Sequence, residues 1–258
     1  MQKIGITERG DAGLDLSWAD ILKTNNYAGA VLITKNANPA FQNNVWELWN
    51  QSFKNIIIHF TCTGWGNTEM EPFVPTPESQ LRNLEEMVSK GFPIQQCVLR
   101  IDPIIPTKEG IERFHQVMRH PFVQAHPELR IRISIIDKYP HIRPALNRIL
   151  HTNYTANSWY PSREELDMVI QACNQYPNYT FECCAEPILA KAVPNCIELG
   201  CISPKEYEIF QLLPETTTPL GYPRAACRCL PSKTELLNQR KQCPHQCAYC
   251  YWKPGTSS

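Results

Sequence analysis

The sequence predicts an α/β fold built on a parallel, barrel-like sheet. Short apolar runs alternate with helical patterns over the first 190 residues. Several runs are continuously β-branched, such as Ile56-Ile57-Ile58, as suits strands covered on both faces. Six strands alternating with helices is the pattern of a parallel sheet.

Strands are expected at Ile4–Thr7, Gly29–Thr34, Asn55–Thr63, Gln96–Ile101, Arg130–Ile136 and Thr180–Cys184. A helix is expected over Pro77–Lys90, capped by Thr76 and stopped by Gly91. Lys108–Arg119 is amphipathic. Ser162 opens a helix to about Gln175, with Glu164 and Glu165 in the first turn, where the helix dipole favours acids. After about Pro187 the rhythm gives way to a Cys- and Pro-rich stretch with one helix around Pro204–Leu213. The expected organisation is a (β/α) barrel core over 1–186 and a Cys-rich iron–sulfur extension over 187–258, packed on the core as one integrated domain.

With 258 residues, 43% of them hydrophobic, the chain can bury one sizeable core. Lysine plus arginine equals aspartate plus glutamate at 25 each, so no net charge favours bulk nucleic-acid or membrane binding. No apolar run approaches the roughly 20 residues that span a bilayer, and MQKIGITERGD lacks a secretory pattern. A cytoplasmic monomer is expected. In a reducing compartment twelve cysteines argue for metal or catalytic roles over disulfides.

Nine of the cysteines lie between Cys183 and Cys250. Cys243-Pro-His-Gln-Cys247-Ala-Tyr-Cys250 has the spacing C-x3-C-x2-C. Three thiolates on a short loop bind three irons of a cubane cluster and leave the fourth iron open to an external ligand. The competing reading is structural zinc, in which Cys247 and Cys250 join Cys227 and Cys229, or His245. A second group, Cys184, Cys201, Cys227 and Cys229, has enough thiolates to close another [4Fe–4S] cluster, with Cys183 and Cys196 nearby. The alternative there is buried free cysteines packing as small hydrophobes.

CPHQCAYCYW resembles the signature of the radical S-adenosylmethionine (SAM) superfamily, in a form close to that of spore photoproduct lyase. Most members carry the motif near the N-terminus, after the first barrel strand; here it comes last. The chain as a whole resembles domain-of-unknown-function family 1848, whose members carry the motif at the C-terminus. That resemblance rests on Thr34-Lys35-Asn36 with Pro39, on Phe60-Thr61-Cys62-Thr63-Gly64 with Glu71-Pro72 and Pro75, and on Arg100-Ile101-Asp102-Pro103-Ile104. It continues through Cys184-Ala185-Glu186, Gly200-Cys201-Ile202 and Cys227-Arg228-Cys229. It implies a partial (β/α)6 TIM-type barrel, circularly permuted relative to typical radical SAM proteins. It selects Cys184, Cys201, Cys227 and Cys229 as ligands of the second cluster, and matches Tyr249 to the aromatic near the SAM adenine. The opening Glu8-Arg9-Gly10-Asp11 departs from the family pattern.

Parallel barrels place their sites at the C-terminal ends of the strands. Thr34, Lys35, Asn36, Thr61 and Thr63 stand there as candidate cofactor-binding residues. Arg100, Asp102, Glu186 and Cys62 stand there as candidate catalytic residues, with Glu182 as a further acid–base candidate. The expected activity is reductive cleavage of SAM to a 5′-deoxyadenosyl radical that abstracts hydrogen from an organic substrate, with electrons from a flavodoxin or ferredoxin. A narrower alternative is a nucleobase in DNA, stacked on aromatics such as Trp65, Trp159, Tyr251 or Trp252. A third is a zinc-stabilised binding module without catalysis.

Overall fold

The fold is that of a computed structural model, which describes residues 2–219, 227–237 and 243–251; Trp252 lies outside them. The strands are β1 (Ile4–Ile6), β2 (Gly29–Thr34), β3 (Ile56–Thr61), β4 (Cys97–Ile104), β5 (Arg130–Ile135), β6 (Phe181–Cys183), β7 (Cys196–Glu198) and β8 (Lys233–Glu235). The helices are α1 (Ser17–Thr24), α2 (Pro39–Asn50), α3 (Pro77–Ser89), α4 (Lys108–Met118), α5 (Pro121–Ala125), α6 (Arg143–Leu150), α7 (Arg163–Asn174), α8 (Pro187–Ala192) and α9 (Pro204–Ile209).

All strands pair in parallel in the order β7-β6-β5-β4-β3-β2-β1-β8. Two features correct the six-stranded barrel expected from the sequence. The sheet has eight strands, because the Cys-rich segment after residue 186 adds β7 and β8 to its two edges. It is also open, since the described residues of β7 and β8 make no ladder with each other.

The physical reason lies in what covers each face. On the outer face, Leu32, Ile58, Leu99, Ile131 and Phe181 pack against helix residues such as Phe41, Leu84 and Phe114. On the inner face, Ile4, Ile6, Val31, Ile57 and Val98 pack against Tyr207 and Phe210 of the α9 region and against Leu230. The inner apolar surface is thus buried by a plug from the Cys-rich segment rather than by opposed strands. Gly29 admits that plug: a Cβ there would stand 2.5 Å from the Phe210 ring.

The caps read from the sequence are present. Thr76 accepts from the Ser79 N–H, and Gly91 follows α3 with φ of 97°. Ser162 and Glu165 form a complete capping box on α7. Ser162→Ala is expected to destabilise the protein by about 1 kcal/mol and Ser162→Gly by only a few tenths, measured by hydrogen exchange of the first turn of α7.

Candidate metal centres

The three-cysteine loop lies against the C-terminal ends of β2 and β3. Its turn is tight: Gln246 takes a left-handed φ of 50°, its N–H bonds the Cys243 carbonyl at 3.1 Å, and the Cys250 N–H bonds the Cys247 carbonyl at 3.0 Å. The Ala248 N–H bonds the Met70 carbonyl at 2.9 Å. Two buried carboxylates hold the loop.

The first is Glu71. Its Oε1 accepts from Lys35 Nζ at 2.7 Å, from Thr63 Oγ1 at 2.8 Å and from the Tyr249 hydroxyl. Lys35 Nζ also donates to the Tyr249 oxygen at 2.9 Å. Burial opposes the Lys35 charge, but Glu71 and then Cys247 outweigh it and raise the lysine pKa. The Tyr249 ring packs with Trp65, Met70, Ile105 and Ile136.

The second is Asp11. It accepts from Thr34 Oγ1 at 2.6 Å, the Lys35 N–H at 2.7 Å and the Gly13 N–H at 2.8 Å. His245 Nε2 faces Asp11 Oδ2 at 3.0 Å while its Nδ1 faces the Phe73 carbonyl at 3.0 Å. Both partners are acceptors, so both ring nitrogens carry protons. Burial works against that imidazolium, yet Asp11 raises the His245 pKa above its ordinary value. Burial likewise opposes the Asp11 carboxylate, and His245 lowers its pKa. A doubly donating His245 is an anchor and has no lone pair for zinc.

Burial raises the pKa of the Cys243 and Cys247 thiols. Cys247 is pushed up to about 12, with Lys35 pulling the other way, so a bound metal must displace its proton. Cys243 and Cys250 lie within its electrostatic reach. Lys35 is in the reach of both Cys247 and Asp102, which ties this loop to the second group of cysteines.

In that group the Sγ atoms of Cys184, Cys227 and Cys229 lie within 4.8 Å of one another, an arrangement able to hold a metal ion. Cys201 borders the same cavity, and its N–H bonds Cys229 Sγ at 3.2 Å. Cys184 follows β6 on a turn whose next residue, Ala185, has φ of 61°. Gly200 lets the second strap approach: a Cβ there would lie 2.5 Å from the Arg228 and Cys229 backbone. Thiols donated by Cys184, Cys201 and Cys227 lower the Cys229 pKa, with Lys233 Nζ at 3.8 Å adding to it, while those contacts raise Cys184.

The cavity is further lined by Glu8, Arg100, Asp102, Arg132, Ile133 and Ser134. Arg100 Nε bonds Asp102 Oδ2 at 2.7 Å and Ser134 Oγ donates to Asp102 Oδ1. Burial opposes the Asp102 charge, but Arg100 holds its pKa low. The structure therefore brings Arg100 and Asp102 to the cavity, and Lys35 and Thr63 to the Tyr249 loop. Thr34 supports that loop through Asp11. Asn36 contributes its backbone, with its N–H on Thr34 Oγ1 at 2.8 Å. Thr61 Oγ1 is buried without a partner among the described residues.

Other sequence candidates stand elsewhere. Cys62 is 1% exposed in the outer core, where burial pushes its thiol up to about 12, so it does not face the rim. Glu182 is spent on Arg130 and Arg132 at 2.7 Å each. Glu186 precedes α8 and accepts from the Ile135 N–H at 3.2 Å. Trp65 is buried under Arg113, and Trp159 sits edge-on to Tyr139, whereas Tyr251 is 48% exposed. Sequence reasoning missed Arg132, Ser134 and the anchoring role of Glu71. The first two were signalled by Arg130-Ile131-Arg132-Ile133-Ser134-Ile135, whose alternation puts its polar side chains on one face.

A parallel α/β sheet with a buried thiol cluster able to take a metal ion at its rim defines the class of protein. The chain belongs to the family described as a domain of unknown function, DUF1848, whose profile matches residues 19–252. No curated protein matches it. Among the described residues, no helix is long and apolar enough to cross a membrane.

Glu71→Gln leaves the buried Lys35 ammonium without its carboxylate. It is expected to cost about 3 kcal/mol of unfolding stability in chemical denaturation. Cys62 is expected to stay unalkylated by iodoacetamide at pH 8 in the folded chain and to react fully after denaturation, as read by mass spectrometry.

Proposed function

We propose that this chain is a radical SAM enzyme whose catalytic [4Fe–4S] cluster is held by Cys243, Cys247 and Cys250. The observation that supports this reading most is the place of β8 in the sheet. β8 is the last strand in sequence, yet it lies at the sheet edge beside β1, and β1 through β7 follow in order. Read in space, the three-cysteine loop follows the first strand of a parallel sheet, where most radical SAM proteins carry it. The reading is therefore a circular permutation of that arrangement.

Cys243, Cys247 and Cys250 would hold the cluster, which would supply one-electron reductive cleavage of SAM to methionine and a 5′-deoxyadenosyl radical for hydrogen abstraction from the substrate. The chain's own residues prepare the place. Glu71 and Asp11 hold the loop through Tyr249 and His245. Lys35 offsets the negative charge that the loop thiolates acquire. Burial of Trp65, Met70 and Ile105 around Tyr249 keeps water from the loop's inner side. Arg100, Asp102 and Ser134 offer a polar wall that would orient a polar organic substrate. In this reading Cys184, Cys201, Cys227 and Cys229 hold a second iron–sulfur cluster that relays electrons from a flavodoxin- or ferredoxin-class donor.

Anaerobic reconstitution with iron and sulfide is expected to give a brown protein that forms 5′-deoxyadenosine from SAM with dithionite. Cys247→Ala should abolish that product. Stoichiometric zinc without sulfide in anaerobically purified protein, or SAM cleavage surviving Cys247→Ala, would refute the reading.

A further inference from the structure

We propose that Arg132 and Arg100 donate hydrogen bonds to the sulfur of an iron–sulfur cluster in the Cys184–Cys201–Cys227–Cys229 cavity, and so raise its reduction potential. This rests on the reading that the cavity holds such a cluster, and deepens it by naming the residues that tune it.

Both arginines line the cavity and both lie within electrostatic reach of Cys201. The Arg132 side chain is only 2% exposed. Its Nη2 bonds Glu182 Oε2 at 2.7 Å, but its Nε and Nη1 have no partner among the described residues. Arg100 uses Nε and Nη2 on Asp102, and its buried Nη1 likewise has no partner among the described residues. A buried donor left unsatisfied costs about 1–3 kcal/mol, and two guanidiniums, the buried Arg132 and the partly buried Arg100, carry such buried N–H groups at one cavity. Buried N–H groups are normally paired, so the cavity calls for an acceptor.

The charges on this wall are already matched. Arg130 and Arg132 face Glu182 and Glu206, Arg100 faces Asp102, and Lys233 faces Glu8. His59, fully buried among Arg132, Arg100 and Arg130, has its pKa depressed well below the ordinary value, first by burial, and adds no charge. The orphaned N–H groups are therefore not waiting for a side-chain carboxylate. The remaining groups on the cavity wall able to become anionic acceptors are the cysteines. Neutral thiols accept weakly. Metal-bound thiolates and sulfides accept well, and hydrogen bonds to them help set cluster potentials. Reduction adds an electron to the cluster, so donors aimed at its sulfur stabilise the reduced state more than the oxidised one.

The test uses the full chain carrying Cys243→Ala, Cys247→Ala and Cys250→Ala, which isolates the second site. After reconstitution with iron and sulfide, its midpoint is followed by EPR in a redox titration. Arg132→Lys and Arg100→Gln are each expected to lower the reduced-to-oxidised ratio at fixed potential about tenfold, about 59 mV for one electron. Arg113→Gln, on the outer helix, should leave the midpoint unchanged. If Arg132→Lys does not fold, Arg100→Gln alone decides. Midpoints equal to the background in the arginine variants overturn the proposal. So does a background chain that takes zinc or no iron with sulfide. The unsubstituted chain is assayed separately for 5′-deoxyadenosine, so loss of the tuning claim is distinguishable from loss of the radical SAM reading.

Discussion

Glu71 carries three donors on one oxygen, and the arrangement of the rim follows from that concentration. Lys35 comes from the end of β2, Thr63 from beyond β3 and Tyr249 from the cysteine loop. Segments far apart in sequence are pinned to one buried carboxylate. Buried ion pairs contribute little net stability against apolar replacements, yet removing one partner is costly. The pairing therefore specifies where the loop sits more than how stable the chain is. Asp11 repeats the device on the other flank, joining the β1–α1 connection, the end of β2 and His245.

The second organising constraint is a sheet whose inner face is divided along its length. Its lower half is apolar and is plugged by Tyr207, Phe210 and Leu230. Its upper half carries Arg100, Arg132, Glu182 and Ser134. Glu206 joins the halves: it completes the Ser203 cap of α9 and accepts from Arg130 Nη2 at 2.6 Å. The Cys-rich segment is thus bound by the same plug that covers the apolar half, and its thiols are delivered to the polar half.

Much of this was legible in the sequence, for identifiable reasons. Strands β1 to β6 announced themselves by apolar runs, and α3, α4 and α7 by caps and amphipathicity. β7 and β8 did not, because Cys196–Glu198 and Lys233–Glu235 are too poor in apolar residues to read as strands. The openness of the sheet was illegible for a related reason: it depends on the long-range contact of Phe210 with Gly29, which no local pattern encodes. Among the candidate site residues, Arg100, Asp102, Lys35 and Thr63 were singled out because they stand at or just beyond the C-terminal ends of strands. Cys62 was misjudged because strand-end position says nothing about which face a side chain takes. Arg132 was overlooked although its alternation with Ile131 and Ile133 marks it as standing on the face opposite to theirs. Glu71 was noticed as a motif letter, but its role depends on a loop more than 170 residues away, at Tyr249.

The pairing of β8 with β1 joins Lys233 to Ile4 and Glu235 to Ile6 across most of the chain. Such contacts are the slowest to form. During synthesis β1 can find β2 early, but its other edge stays bare until β8 emerges from the ribosome. An unpaired strand edge is a template for misassociation. The nascent chain must therefore carry an unguarded edge for most of its translation. A ribosome stalled before residue 233 would leave a sheet complete from β1 to β7, with a sticky flank and no cysteine loop to close over it.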